Sequence, residues 1–515
     1  MGEKIKILVG FLVLVLLVGG GLFWKFGGIF GENCESAQFV GEYEGYLEAA
    51  GQKLIFEVEI VKGDEGKPFV AYSATPEQGA YDFVSNDEIL SGCHLSYELA
   101  VTGLFVDGNI AVSAGSMTYE GTILQNGISG TFYLKKIVET GGFYEEEVSI
   151  ESGDAVLAGT LSFPFVSKEE EDRKIQKKSQ FSAVILLTGS GPQNRDENIF
   201  GFKVFKVLAD YLNSIGFAVL RLDDRGVGKS TRGTVDITTM TFADDAFAAL
   251  KYLQGRADID TANIGFLGHS EGALASLLAK TSTLNLDVNL RPTGTPVMKI
   301  AFIILMAGPA VSGEQLNLWQ MEYLARASGL DGENLNKALD SQRAILAAVK
   351  GEITWDEAKE KSKPLFLMQL GEAAITMSEQ EITEYVDVAF EDTVAQAKLP
   401  WFKFFILNDP VKDIELLDVP VLVLFGGKDT QVPAAMNETF FEQAALRGGF
   451  KDYEIVTFPD ANHLFQKAES GMVDEYAILD KQFVDGFLDK IGEFLAPFAR
   501  EKEGRAEISY RVSEK

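Results

Sequence analysis

The chain has 515 residues, 46% of them hydrophobic and 24% charged, and a formal net charge of −30. That length calls for two or three domains, and that composition belongs to a globular chain with a sizeable core. So acidic a surface repels the phosphates of nucleic acid, and three histidines with two cysteines in no CxxC pair exclude a zinc site of the usual Cys/His kind.

Residues 7–24, ILVGFLVLVLLVGGGLFW, carry no charge and make an 18-residue run at the short end of what spans a bilayer. Lys4 and Lys6 precede it and Lys25 follows, which favours the amino terminus inside and the remainder outside. Gly19 to Gly21 lead into Leu22, Phe23 and Trp24 with no A-x-A pattern, so the reading is an uncleaved transmembrane signal-anchor over 1–30, with a cleaved signal peptide as the alternative. The rest of the chain is then expected outside the cytoplasm, where an oxidising compartment permits a bridge between Cys34 and Cys93.

From 38 to 140 the pattern is β. Leu54, Phe56, Val58 and Ile60 alternate with Ile55, Glu57 and Glu59, a period of two. Further short runs at 96–101, 110–112, 116–124 and 130–134 are punctuated by Asp107-Gly108-Asn109 and Gln125-Asn126-Gly127. The expectation is a small antiparallel sandwich or barrel, with His94 in a structural role.

The texture changes after Ile137. Two strands joined at Gly153-Asp154 are followed by a charged loop over 168–178. Strands then alternate with helices: strands at 183–187, 218–222, 263–268, 300–306 and 420–425, and helical spacing at 202–215 and 241–253. Continuous apolar runs between amphipathic helices predict an α/β fold, a mostly parallel sheet covered on both faces. This domain runs over 145–500 and is interrupted by about 311–418, which has helical patterns at 316–327, 333–350, 355–361 and 379–397 and no strand character. So long a connection reads as an inserted helical cap. Residues 501–515 form a polar tail.

The chemistry rests on Gly268-His269-Ser270-Glu271-Gly272. A G-x-S-x-G pattern is weak alone, but this one follows a buried strand and opens an alanine-rich helix, the setting of a nucleophile elbow. The N–H of Glu271, at a helix N-terminus, is positioned for an oxyanion. A second donor is expected from Thr188-Gly189-Ser190-Gly191-Pro192; the proline has no N–H, so Ser190 or Gly191 supplies it, and Ser190 is preferred. His269 lies inside the elbow, where its ring should point away, and His94 lies in another domain. That leaves His463, on a loop after the strand 453–458, as the base. Asp429, at the end of the strand 420–425, is the orienting acid, with Asp460 as its rival. The order Ser…Asp…His and these strand ends point to acyl transfer with Ser270 as nucleophile. This chemistry needs no metal or cofactor.

The segments TGSGPQNRDE (188–197), LRLDDRGVGKST (220–231), GHSEG, FGGKDTQVP (425–433) and FPDANHLFQKA (458–468) resemble secreted or membrane-linked α/β-hydrolases related to the serine aminopeptidase and cinnamoyl/acyl esterase branch. The resemblance covers about 145–498, and GEYEGYL (41–47) and TPEQGA (75–80) are similar to a β domain that often precedes such hydrolases. It implies hydrolysis of carboxylic esters, with a small-molecule acyl ester as substrate. TGSG stands where many relatives carry His-Gly, which leaves the second oxyanion donor open. Asp224 and Arg225 resemble a structural loop. Two other readings stand beside the esterase: a serine aminopeptidase, for which Glu271 is the carboxylate that the elbow offers to a free amine, and an inactive surface binding protein, against which the intact triad speaks.

Overall fold

The alternation over 52–62 is realised as a strand of a closed barrel. The computed structural model describes residues 39–63, 67–75, 80–99, 101–113, 116–136, 143–164, 180–285, 299–371 and 376–499. The first eight strands are β1 (Gly41–Ala49), β2 (Gln52–Lys62), β3 (Phe69–Thr75), β4 (Ala80–Ser91), β5 (His94–Leu99), β6 (Leu104–Ser113), β7 (Ser116–Gln125) and β8 (Ile128–Lys136). Each pairs with the next, and β1 closes antiparallel on β8 from Tyr43↔Lys136 to Ala49↔Gly130. Period-two patterning sends Tyr43, Phe56, Val58, Tyr97, Tyr119 and Phe132 inward, where they fill the barrel. The Tyr119 and Phe132 rings meet edge-on at 4.7 Å. His94 stays in the barrel, with Nε2 2.9 Å from Asp107 Oδ1.

The second unit is an eight-stranded sheet. It contains β9 (Tyr144–Ser152), β10 (Ala155–Phe163), β11 (Phe181–Leu187), β14 (Ala218–Leu222), β15 (Ile259–His269), β16 (Ile303–Met306), β17 (Val421–Gly426) and β18 (Tyr453–Phe458), while β12 (Asn198–Ile199) and β13 (Phe202–Lys203) form a separate small hairpin. The spatial order is β18-β17-β16-β15-β11-β14-β10-β9. Every pair from β14 to β18 is parallel, and β10 is antiparallel to both its neighbours. Helices α2 (Thr239–Gln254), α3 (Glu271–Asn285) and α10 (Ala434–Gly448) pack on one face, and α1 (Val204–Ser214) and α11 (Phe487–Leu495) on the other. Each face has its own apolar cluster, which is why the strands read as uninterrupted apolar runs. Helical spacing over 202–215 becomes α1 from Val204 only, because Phe202 and Lys203 pair with Ile199 and Asn198 in the small hairpin.

Among the described residues six helices are inserted between β16 and β17: α4 (Gly313–Ala327), α5 (Gly332–Lys350), α6 (Trp355–Leu370), α7 (Glu379–Ala397), α8 (Pro400–Leu407) and α9 (Val411–Glu415). Reciprocal capping boxes start three of them, Ser312 with Gln315, Thr354 with Glu357 and Ser378 with Glu381. The pattern that stops at Lys361 continues as helix to Leu370, with Pro364 inside it.

The barrel meets the sheet domain through acidic side chains of β1 and β2. Asn198 Nδ2 donates to Glu57 Oε2, Lys203 Nζ lies 3.4 Å from Glu42, and Lys229 Nζ lies 3.6 Å from Glu59. Cys93 is disulfide-bonded; Cys34 lies outside the described residues, as do the proposed signal-anchor, the charged loop over 168–178 and the polar tail. No described helix is long and apolar enough to cross a membrane.

Candidate active site

Strands β11 and β15 lie side by side and parallel, with Leu187 opposite Gly268, and β14 lies on the far side of β11. The chain therefore reverses its winding direction between β11 and β15, and a crevice opens at their carboxyl ends. Two turns meet there: residues 188–193 after β11, and Ser270 between β15 and α3. Ser270 has φ +52°, the left-handed region, as a sharp strand-to-helix turn requires. Glycine is needed on both sides of it. A Cβ on Gly268 would lie 2.2 Å from the Gly272 carbonyl oxygen, and one on Gly272 would lie 2.0 Å from the Leu187 carbonyl oxygen.

The next strands along deliver a buried pair. His463 Nδ1 lies 2.7 Å from Asp429 Oδ2. Asp429 Oδ1 accepts from the N–H groups of Gln431 (2.7 Å) and Val432 (2.8 Å), so its turn fixes the carboxylate. Asn462 does the same for the histidine loop: its Oδ1 accepts from Leu464 and Gln466 N–H at 3.0 and 2.9 Å. Asp460 is turned away, exposed, 3.8 Å from Lys428 Nζ. Among the described residues no hydrogen bond joins Ser270 Oγ to His463; the elbow reaches the histidine loop through His269, whose ring lies 4.8 Å from that of His463.

His269 points away from the crevice, into a buried arrangement with no signature in the sequence. Its Nδ1 lies 2.8 Å from Glu197 Oε1, and its Nε2 lies 3.0 Å from the His463 carbonyl oxygen. Both neighbours are acceptors, so the ring satisfies both only when each nitrogen carries a proton. Burial opposes that charge, but the Glu197 carboxylate and these hydrogen bonds outweigh it, and the His269 pKa is raised. Glu197 itself is 0% exposed, has φ +46°, and also accepts from Gly189 N–H at 2.7 Å.

Carboxylates clamp the whole turn after β11. Thr188 Oγ1 donates to Asp224 Oδ1 (2.7 Å), Gly189 N–H to Glu197, and Gln193 N–H to Asp224 Oδ2 (2.9 Å). Burial pushes the Asp224 carboxyl well above the usual carboxylate range. Arg225 is buried against Asp245, Asp154 and Ser152 and supports the loop from below. Glu271 is 1% exposed; its Oε1 accepts from Thr239 Oγ1 (2.6 Å) and from the indole N–H of Trp401 (2.7 Å). The inserted helices thus touch the elbow through Trp401, and they touch the Asp429 turn through Gln320, which donates to the Gln431 carbonyl oxygen at 2.9 Å. The structure therefore brings together His463 and Asp429, leaves Ser190 exposed on the turn after β11, and places Ser270 and Glu271 at the elbow. Glu197 is a contributor that motif reading does not find, and so is the contact of Trp401 with Glu271. Among the described residues no cluster of His, Cys, Asp and Glu is suited to hold a metal ion.

Residues 184–475, more than half of the chain, match the model of the alpha/beta hydrolase family. The chain is 25% identical over 342 residues to esterase EstD of Thermotoga maritima, an alignment that takes in 66% of this chain and 64% of that relative. Among solved structures, the Pyrococcus furiosus esterase Pf2001 is 15% identical, with 70% of this chain and 92% of that one covered at a TM-score of 0.41. Est1E of Butyrivibrio proteoclasticus, solved with ferulic acid bound, is 18% identical, with 68% and 97% covered at a TM-score of 0.35.

Proposed function

The chain belongs to the alpha/beta hydrolase family, and from that premise we propose that it cleaves small-molecule carboxylic esters with Ser270 as nucleophile, His463 as general base and Asp429 as the acid that orients the base. The observation that carries this reading is the buried His463–Asp429 pair, formed at 2.7 Å at the carboxyl ends of the neighbouring strands β17 and β18, beside a serine with φ +52°. Ser270 Oγ attacks the ester carbonyl carbon, and its proton passes to His463 Nε2. The oxyanion is received by the N–H of Glu271, a first-turn group with no partner inside its helix, and by that of Ser190. The Gly189 N–H is already given to Glu197, which leaves the second donor on this turn to Ser190 or Gly191, of which Ser190 is preferred. The alcohol leaves with the proton from His463, and water releases the acid from the acyl-serine by the same steps. The inserted helices act as the cap that excludes water from the crevice.

An aminopeptidase would need a carboxylate free to meet the substrate ammonium. Both oxygens of Glu271 already accept from the Trp401 indole, which favours esters. The test is a parallel series of p-nitrophenyl acyl esters and aminoacyl-p-nitroanilides, with fluorophosphonate labelling of wild type and Ser270→Ala. Labelling at Ser270 and faster ester turnover are expected; faster turnover of the anilides that is lost in Glu271→Gln would overturn the ester reading.

The apolar run at 7–24 and the disulfide at Cys93 support a membrane-anchored enzyme with its catalytic domain outside the cytoplasm. Release from membranes by alkaline carbonate alone would refute the anchor.

A further inference from the structure

Glu271 is a costly residue to place where it is. It is 1% exposed, and the donors that reach it are neutral: Thr239 Oγ1 and the Trp401 indole N–H, the latter within 2.7 and 2.9 Å of its two oxygens. A buried carboxylate met by neutral donors loses much of its hydration without the return that a cation would give. Burial accordingly holds this carboxyl above the usual carboxylate range. If the position served packing alone, an apolar residue would fill it at less cost.

Its two partners come from separate parts of the chain. Thr239 opens α2, and Trp401 lies in the first turn of α8, 130 residues along. Trp401 is in turn stacked on Phe405 at 5.6 Å with 12° between the planes, so the indole that meets Glu271 is held flat against its own helix. Helix α8 is closely packed against α4, because a Cβ on Gly313 would lie 1.9 Å from the Phe405 carbonyl oxygen. The indole therefore has a rigid support behind it and a single polar anchor in front, on the residue that follows the nucleophile.

We propose that the Glu271 side chain is a positioning residue that latches α8 to the elbow: by holding the Trp401 indole beside Ser270 it fixes the inner wall of the acyl pocket and sets the acyl length that the site accepts. The assignment rests on the ester-hydrolase reading for its substrate and on the hydrogen bonds alone for its geometry. With the latch closed, the indole occupies the ground next to the acyl carbonyl, and short acyl groups fill what remains. With the latch open, α8 is held by its apolar contacts only and the pocket deepens.

The experiment has two arms. In the first, kcat and KM are measured for p-nitrophenyl esters from acetate to decanoate with wild type, Trp401→Phe, Glu271→Leu and the double variant. Trp401→Phe keeps a ring and removes the N–H. It is expected to raise KM for the butyrate about tenfold, in line with the loss of one hydrogen bond to a charged group, to leave kcat within about threefold, and to move the optimum to longer chains. Glu271→Leu should move the optimum the same way, and the double variant should be no worse than the poorer single one, because both break one contact. An unchanged optimum in Trp401→Phe, or losses that add as for independent sites, overturns the proposal. The second arm needs no turnover. With Trp24, Trp319 and Trp355 replaced by phenylalanine, the emission of Trp401 is followed under acrylamide quenching. Glu271→Leu, or Glu271→Gln if the leucine variant does not fold, should increase quenching; equal quenching overturns the latch. A wild type that binds no fluorophosphonate and hydrolyses no ester would refute the ester reading separately, and the quenching arm would still decide the latch.

Discussion

Replacing Glu197 is the sharpest probe of the support behind the His463 loop. The carboxylate makes two short contacts, 2.8 Å to His269 Nδ1 and 2.7 Å to Gly189 N–H, from a position with 0% exposure. Glu197→Gln keeps an acceptor oxygen of nearly the same shape but removes the charge. Charge-assisted hydrogen bonds are roughly twice as strong as neutral ones, so about 1 kcal/mol is lost at each contact and about 2 kcal/mol in all. Glu197→Leu leaves an imidazole and an N–H without an acceptor in a dry site and should cost about 3–5 kcal/mol. The two variants also differ from wild type in pH dependence. His269 has a folded pKa above its ordinary value of 6.5, so the stability it contributes is full below that value and is lost as pH rises through the folded pKa. Urea unfolding of wild type at a series of pH values from about 5.5 to 9 should therefore show stability declining with pH. The decline should be shallower in Glu197→Gln, whose side chain no longer favours the imidazolium. Equal slopes in the two proteins, or a Glu197→Leu variant as stable as wild type, would refute the account of a protonated His269 held between Glu197 and the His463 carbonyl.

Gly272→Ala should abolish turnover and fluorophosphonate labelling, since its Cβ would lie 2.0 Å from the Leu187 carbonyl oxygen and force α3 off the sheet; a labelled, active Gly272→Ala protein would show that the elbow is not under this constraint. Asp429→Asn should lower kcat by about two to four orders of magnitude while Asp460→Asn stays within about threefold, measured on one p-nitrophenyl ester; a reversal would make Asp460 the orienting acid. At the acid end, Asp154 has a depressed pKa because Thr234 donates to it through both side chain and backbone, with Arg225 assisting. Its contribution is therefore present above the ordinary carboxylate range and lost as pH falls through the folded pKa, so Asp154→Asn should flatten the acid limb of stability below about pH 4, followed by circular dichroism.

What the sequence discloses about this site is what local patterns encode. Ser270 is legible because the strand, the turn glycines and the helix are contiguous, Asp429 because it follows an apolar run that could only be a buried strand, and His463 because the other two histidines are placed elsewhere. The contacts of Glu197 and Trp401 are not legible in this way. Each acts across the fold, 72 and 130 residues from its partner, and no spacing rule links them. Helix α8, PWFKFFIL, escapes notice because it is apolar all round and shows no helical period. In the barrel, alternation marks β2 but cannot say whether the strands form a sandwich or close, because closure depends on β1 meeting β8 at the other end of the unit. Strands β3 and β4 are hidden for a different reason: serines and other polar residues occupy inward as well as outward positions, as at Ser73 and Ser85, both buried.

That closure has a mechanical consequence. Because β1 and β8 are antiparallel neighbours, the start of β1 lies beside the end of β8, with Tyr43 opposite Lys136. The chain thus enters and leaves the barrel at the same rim. Tension applied between Phe39 itself and the hydrolase domain after Tyr144 would load this seam from its open end, peeling its hydrogen bonds one after another rather than straining them together. An antiparallel pair loaded in that way yields at far lower force than one pulled from opposite ends. Loaded between those two points, the barrel would part first along β1 and β8, ahead of the sheet carrying Ser270.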